Sequence, residues 1–192
     1  MTTQTKVFID LSRTYTADEF EALPDDGNRY ELINGRLQLM PPIGDQHGTI
    51  TDNLAFFIRI FDPERKLGKV WTNTGFRLNQ FFTPEPDLMF IVAHRRPPDS
   101  KEALRVIPDL VVEVWSPSQL TKNGIDKDSL DKIRAYQKAG VKIIWSIHPE
   151  KQSVSVYHPD QTDPVTILGL NDELDGENVI PGFKLAVSKL FE

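Results

Sequence analysis

The segment Pro108–Ser118 (PDLVVEVWSPS) constrains the fold more than any other part of the chain. Its apolar, β-branched run has the composition of a strand buried on both faces. Yet it carries two acids, Asp109 and Glu113. A buried carboxylate is costly unless something compensates it. Side chains alternate along a strand, so residues four apart share a face and these two acids point the same way. A shorter element of the same kind, Pro84–Val92 (PEPDLMFIV), lies upstream and contains Asp87. Two Pro-Asp openings, each leading into an apolar strand, predict a carboxylate cluster at one edge of a sheet. Converging carboxylates are what a hard divalent cation needs.

The remaining pattern surrounds these strands with helices. Thr16 and Glu19 form a capping box for a short helix over 16–23. Asn34-Gly35 is a strong hairpin signal inside Tyr30–Met40. His47–Phe61 has helical spacing, with Ile50, Leu54, Phe57, Ile58 and Phe61 on one face, and Pro63 closes it. Strands are predicted over 69–78, after Asp87, and through Glu113. A helix follows over Asp126–Ala139, stopped by Gly140. Strands at 141–147 and 153–157 come next, and the tail alternates turns and short strands. This order predicts the α/β class with a mixed α+β sheet flanked by helices. Residues 1–13 read as a flexible arm and 14–192 as one domain, since no repeat, low-complexity tract or long linker divides the chain.

Bulk numbers exclude several classes. The chain has 192 residues and no cysteine, which removes disulfides, cysteine–zinc sites and cysteine nucleophiles and fits a reducing, cytoplasmic setting. The N-terminus shows no secretory signal and no stretch has the length of a membrane span, so no membrane partner is expected. Net charge is −6, from 28 acidic and 22 basic residues, which argues against broad nucleic-acid binding by bulk charge but leaves room for a local site.

Asp87 and Glu113 lie on consecutive predicted strands. Two such carboxylates and a main-chain carbonyl could hold Mg²⁺, with waters filling the shell. The competing reading of Asp87 and Asp109 is structural, with each Pro-Asp bonding the backbone of a strand-opening turn. Glu113 sits mid-strand, where a buried Glu is rare unless paired, and this favours a functional role. Glu31 could add a carboxylate or pair with Arg36 across its hairpin. His47, at the start of a helix, could contact phosphate or carry a proton, or could belong simply to the cap region. Loop cations Arg95, Arg96, Lys101, Arg105, Lys122 and Lys127 flank the predicted site and could meet a phosphate backbone or only solvent. The apolar face bearing Trp145, Val154 and Val156 reads as core or as a dimer surface.

The order of helix, strand, Pro-Asp strand, Glu strand, helix and strand resembles the core of PD-(D/E)XK nucleases, the restriction-endonuclease-like fold. More narrowly, the chain resembles the Uma-type family of restriction endonucleases. The resemblance rests on Tyr30–Gly35, Met40-Pro41-Pro42 leading to His47, Pro86-Asp87, Pro108–Val114, Ser116-Pro117-Ser118, Asp131-Lys132 through Tyr136 to Ala139-Gly140, Ile144-Trp145 and His148-Pro149. It implies Asp87 and Glu113 as metal ligands, with Asp109 supporting the metal through water. It also implies Mg²⁺, replaceable by Mn²⁺, DNA as substrate, and a homodimer that cuts both strands. The superfamily places a lysine two residues after the Glu, where this chain has Trp115. The family pattern draws that lysine from the following helix, and Lys132 stands there. Without the resemblance, Lys132 could equally be a helix charge paired with Asp128.

The expectation is therefore a metal-dependent endonuclease in which Asp87, Glu113 and Lys132 act, assisted by Glu31 or His47. Two alternatives stand beside it. One is an inactive nuclease-fold protein that binds nucleic acid or a protein, motivated by Trp115. The other is a metal-dependent phosphodiesterase acting on RNA or nucleotides.

Overall fold

A computed structural model describes residues 9–121 and 124–192. In chain order its elements are α1 (Ala17–Glu21), β1 (Tyr30–Ile33), β2 (Arg36–Leu39), α2 (Asp45–Phe61), β3 (Gly68–Thr72), β4 (Leu88–Val92), β5 (Leu110–Val114), β6 (Leu120–Thr121), β7 (Gly124–Ile125), α3 (Lys127–Lys138), β8 (Ile143–His148), β9 (Ser153–Tyr157), β10 (Thr166–Leu168), β11 (Glu173–Asp175) and β12 (Lys184–Ala186). Six strands form the main sheet, in the order β10-β9-β8-β5-β4-β3. Only β5 and β8 pair in parallel, and α3 is the crossover between them. The other neighbours are antiparallel, so the sheet is mixed, as expected.

The apolar run of β5 is central because both of its faces are covered. Leu110, Val112 and Val114 pack with Ile50, Leu54 and Ile58 of α2. Val111 and Trp115 pack on the other side with Ile133 and Tyr136 of α3. Each fully buried aliphatic side chain of this kind contributes roughly 1.5–3 kcal/mol. Glu113 lies between Val111 and Trp115 in the alternation, so the strand period alone turns it toward α3.

The N-terminal hairpin forms at the predicted turn, with Asn34 and Gly35 both at positive φ (50° and 76°). A Cβ at Gly35 would meet Thr14 Cγ2 at 2.6 Å, so glycine is needed there for space as well as for conformation. The Thr16–Glu19 capping box is present at α1. Gly140 ends α3 at φ 85°, as a C′ glycine does.

Several boundaries differ from those read in the sequence. The strand predicted over 69–78 stops at Thr72. Asn73 turns the chain left-handed at φ 45°, and Phe76 and Arg77 donate their N–H groups to Pro84 and Leu104 instead. The strand predicted from 141 begins at Ile143, because Val141 still donates to Tyr136 at the end of α3. The helix predicted from His47 starts at Asp45. Of the arm read over 1–13, residues 1–8 lie outside the described residues. Ile9 is buried, and the Asp10 carbonyl accepts the Tyr15 hydroxyl at 2.8 Å, so the described end of that segment is packed. Trp145, Val154 and Val156 are core. Among the described residues, no helix is long and apolar enough to cross a membrane.

Candidate active site

Pairing of β4 with β5 sets Leu88 opposite Val112. One residue beyond that pair, Asp87 leaves its strand beside Glu113. Its Oδ2 accepts the Val114 N–H at 2.7 Å, which ties the carboxylate to the end of β5. Its Oδ1 lies 2.7 Å from His47 Nε2. Helix α2 delivers that imidazole because its apolar face lies along the sheet and its first turn ends over Asp87. Burial draws the His47 pKa down, but the Asp87 hydrogen bond and the charges of Asp87 and Glu113 outweigh it and the net shift is upward.

Helix α3 supplies two groups one turn apart. Lys132 Nζ lies 3.0 Å from Glu113 Oε1 and 2.9 Å from Glu31 Oε2. The Tyr136 hydroxyl donates to the same Glu113 Oε1 at 2.6 Å. An i, i+4 spacing on a helix puts both head groups over one point of the sheet. Glu31 arrives on β1 because its hairpin docks along the chain before β4. Leu32 and Thr83 exchange N–H···O bonds of 3.0 and 2.8 Å, and the Glu85 N–H reaches Glu31 Oε2 at 3.3 Å. Five elements thus converge on one spot.

The cluster is almost closed to solvent: Glu113, Lys132, Asp87 and Glu31 are 4, 7, 8 and 9% exposed. Burial pushes the Glu113 carboxyl up to about 7, with Lys132 opposing that rise and Asp87 and Glu31 adding to it. Burial draws Lys132 down, but the charges of Glu113, Glu31 and Asp87 hold it well above the usual lysine range. Burial and the Glu113 charge raise the Tyr136 hydroxyl as well, which keeps it a donor. Three carboxylates face one lysine, and the surplus negative charge is what a cation would neutralise. The cluster forms the floor of a cavity of about 390 Å³.

The donor set fits a cation of a particular kind. Among the described residues, no group of three or more His, Asp or Glu side chains is arranged to hold a metal ion. Mg²⁺ needs no such cage, since one or two carboxylates commonly hold it, with waters and substrate phosphate completing the shell. Asp87 and Glu113 supply such a pair.

The structure gathers Asp87, Glu113, Lys132, Glu31 and His47, and it leaves Asp109 out. Strand residues rise about 3.3 Å each, so four residues separate Asp109 from Glu113 by roughly 13 Å despite their shared face. Arg95 Nη1 lies 2.7 Å and Lys142 Nζ 3.0 Å from Asp109 Oδ1, and Oδ2 accepts the Val92 N–H at 3.1 Å. Asp109 is a neutralised structural anchor and does not join the cluster. The bland pairings for two other residues are absent too. Lys132 contacts Glu31 and Glu113 in place of Asp128, and the hairpin register sets Glu31 opposite Gln38, with Arg36 opposite Ile33.

Trp115 fills the position of the missing lysine and belongs to the core. It is buried, and its indole N–H donates to Ser146 Oγ at 2.6 Å. Of the loop cations, Arg95, Arg105 and Lys127 pair with Asp109, Glu21 and Asp131. Lys122 lies outside the described residues. Two site residues were not singled out from the sequence. Tyr136 could have been found from its spacing to Lys132. Glu85 lines the cavity and pairs with Arg29, and it stands in the Pro-Glu-Pro-Asp motif two residues before Asp87.

The comparisons with known proteins agree with this geometry. Residues 17–188 match the model of the Uma2 family, described as "Putative restriction endonuclease". The fold is similar to that of a crystal structure from Anabaena variabilis ATCC 29413, described as "a putative nuclease belonging to DUF820". The TM-score is 0.77 at 22% identity, over 92% of this chain and 97% of that one. No curated protein matches the chain.

Proposed function

The chain belongs to the Uma2 family, and from that premise we propose that it is a metal-dependent endonuclease that hydrolyses DNA phosphodiester bonds. One observation carries the reading: Lys132 reaches from α3 to within 3.0 Å of Glu113 and so stands where Trp115 cannot act. A lysine has a long flexible stem, and its charge serves wherever its head group arrives.

Asp87 and Glu113 are the residues that would hold Mg²⁺, or Mn²⁺ in its place. Bound there, the ion would polarise a phosphate oxygen and lower the pKa of a water. Lys132 orients the attacking water and balances the charge that grows on the phosphate. Glu31 holds the second side of Lys132, so the ammonium stays over the site. His47 holds Asp87 and, with its raised pKa, can carry a proton at Nε2 near the leaving oxygen. Tyr136 fixes the Glu113 carboxylate through Oε1.

Nicking of supercoiled plasmid with Mg²⁺ or Mn²⁺ tests the reading. Wild type should cut, and Asp87→Ala and Glu113→Ala should not. Equal cutting by all three would sink it. Trp115, fixed in the core where the superfamily keeps its lysine, favours a second reading, a fold retained for binding alone. Calorimetric titration separates the two, since no uptake of Mg²⁺ at millimolar levels with DNA present supports the second.

A further inference from the structure

The cavity above the cluster has walls of unlike chemistry. Its floor is the group of carboxylates and Lys132. One wall is the segment Leu39–Ile43 (LMPPI), five consecutive apolar residues stiffened by two prolines. Leu39 and Ile43 are 53 and 40% exposed, so this wall faces solvent although it is apolar. Around the cavity, among the described residues, six carboxylates face one lysine and no arginine, and Arg29 reaches only Glu85 from outside.

Such a site suits one form of nucleic acid better than another. A duplex presents about one phosphate charge per 1.7 Å of axis, and proteins meet it with several cations along a broad surface. Here a second or third phosphate would meet carboxylates or proline. The reacting groups are also at least nine-tenths buried, so the phosphate must come down to them. A volume of about 390 Å³ is at the lower end for a small-ligand pocket and matches roughly one nucleotide. A single nucleotide brings one phosphate and one flat base. The phosphate suits the floor, and the base face suits an apolar wall, since stacking and packing of bases are tolerant of sequence.

We infer that the site takes its substrate as an unpaired DNA nucleotide, from a single strand or an opened duplex, with the base packed against Leu39–Ile43. The inference rests on the endonuclease reading but can fail separately from it.

The test uses the full chain and end-labelled oligonucleotides of one sequence, presented as a single strand, a blunt duplex, a duplex with a central bubble, and the RNA strand. Cleavage is followed with Mg²⁺ and Mn²⁺, and binding by fluorescence anisotropy with Ca²⁺. The single strand and the bubble should be cut at least about tenfold faster than the blunt duplex. Ile43→Ala and Met40→Ala should raise KM for the single strand roughly fivefold or more, the lower range for loss of one base contact. Both sites are at the surface, and an unchanged melting temperature would show that folding is intact. Equal or faster cutting of the blunt duplex overturns the inference and leaves the endonuclease reading standing. A preference for the RNA strand overturns the assignment to DNA. No cleavage of any substrate, with the single strand still bound more tightly than the duplex and weakened by Ile43→Ala, supports this pocket while sinking the endonuclease reading. Equal binding of single strand and duplex without cleavage sinks both.

Discussion

At one end of β5, Asp109 meets Arg95, Lys142 and the Val92 N–H. At the other end, Glu113 meets one lysine, one tyrosine and the charges of two further carboxylates. Both acids are buried, on one face of one strand. Burial works against the charged form of each, yet the hydrogen bonds and cations around Asp109 leave its pKa below the usual value, whereas Glu113 rises to about 7. Counter-charge therefore separates the two. Asp109 is over-compensated, closed off and structural. Glu113 is under-compensated and opens on a cavity. A buried acid with too few partners is where a cation or a substrate has work to do.

Breaking the Glu113 end should have the largest effect. Glu113→Gln keeps the volume and removes the charge, and nicking should fall by about 10²–10³-fold, as for loss of one electrostatic catalytic group. Asp109→Asn, assayed well below its melting temperature, should keep most of the activity. If the two variants lose activity equally, the division of β5 into a working end and a structural end is wrong. Tyr136→Phe is the finer cut. It removes one hydroxyl from Glu113 Oε1 and leaves the ring against Phe76, 5.8 Å between centroids. Mn²⁺ binding, followed by calorimetry and by the Mn²⁺ spin-resonance signal, should weaken about tenfold, the lower range for loss of a group that orients a metal ligand. Unchanged Mn²⁺ affinity would mean that Tyr136 serves packing alone.

The contrast also shows what was legible in the sequence. The hairpin at Asn34-Gly35, the capping box at Thr16 and the end of α3 at Gly140 depend on local chemistry, and each appears where it was read. The burial of Glu113 and its nearness to Asp87 follow from strand pattern and chain order, which also act at short range. The difference between Asp109 and Glu113 was not legible. It depends on Arg95 and Lys142, which come from a loop and from the start of another strand and carry no local mark of their target. Lys132 was placed through family resemblance, because the spacing of α3 gives its face but not its partner. Strand 69–78 was read too long because Asn73, an ordinary residue in a strand pattern, adopts a left-handed turn that composition does not announce.

Stability should sort the two ends in the opposite order to activity. Asp109→Asn leaves two cations without their carboxylate. Both are partly exposed and can regain water, so the expected loss is about 2 kcal/mol, near the range for a hydrogen bond to a charged group. For a chain of this size that lowers the melting temperature by roughly 4–8 °C. Glu113→Gln should cost little or raise the melting temperature, because the ionised carboxylate it replaces is disfavoured by burial and by its neighbours. A larger loss for Glu113→Gln than for Asp109→Asn would reverse the assignment of strain within β5.

The smallest effect is the most diagnostic of cause. The folded pKa of Asp109 lies below its ordinary value, so the folded state favours the ionised form. Its contribution is then fully present above the unfolded pKa, about 3.9, and is lost as pH falls through the lower folded value. The stability gap between wild type and Asp109→Asn should be flat from pH 5 to 8, on the order of 2 kcal/mol, and should shrink below about pH 4. Urea melts at fixed pH steps measure it. A gap that persists undiminished at pH 3 would mean that the variant fails through packing around Ile107 and Val92. The cations at that end would then be incidental, and counter-charge would not be what distinguishes the two acids of β5.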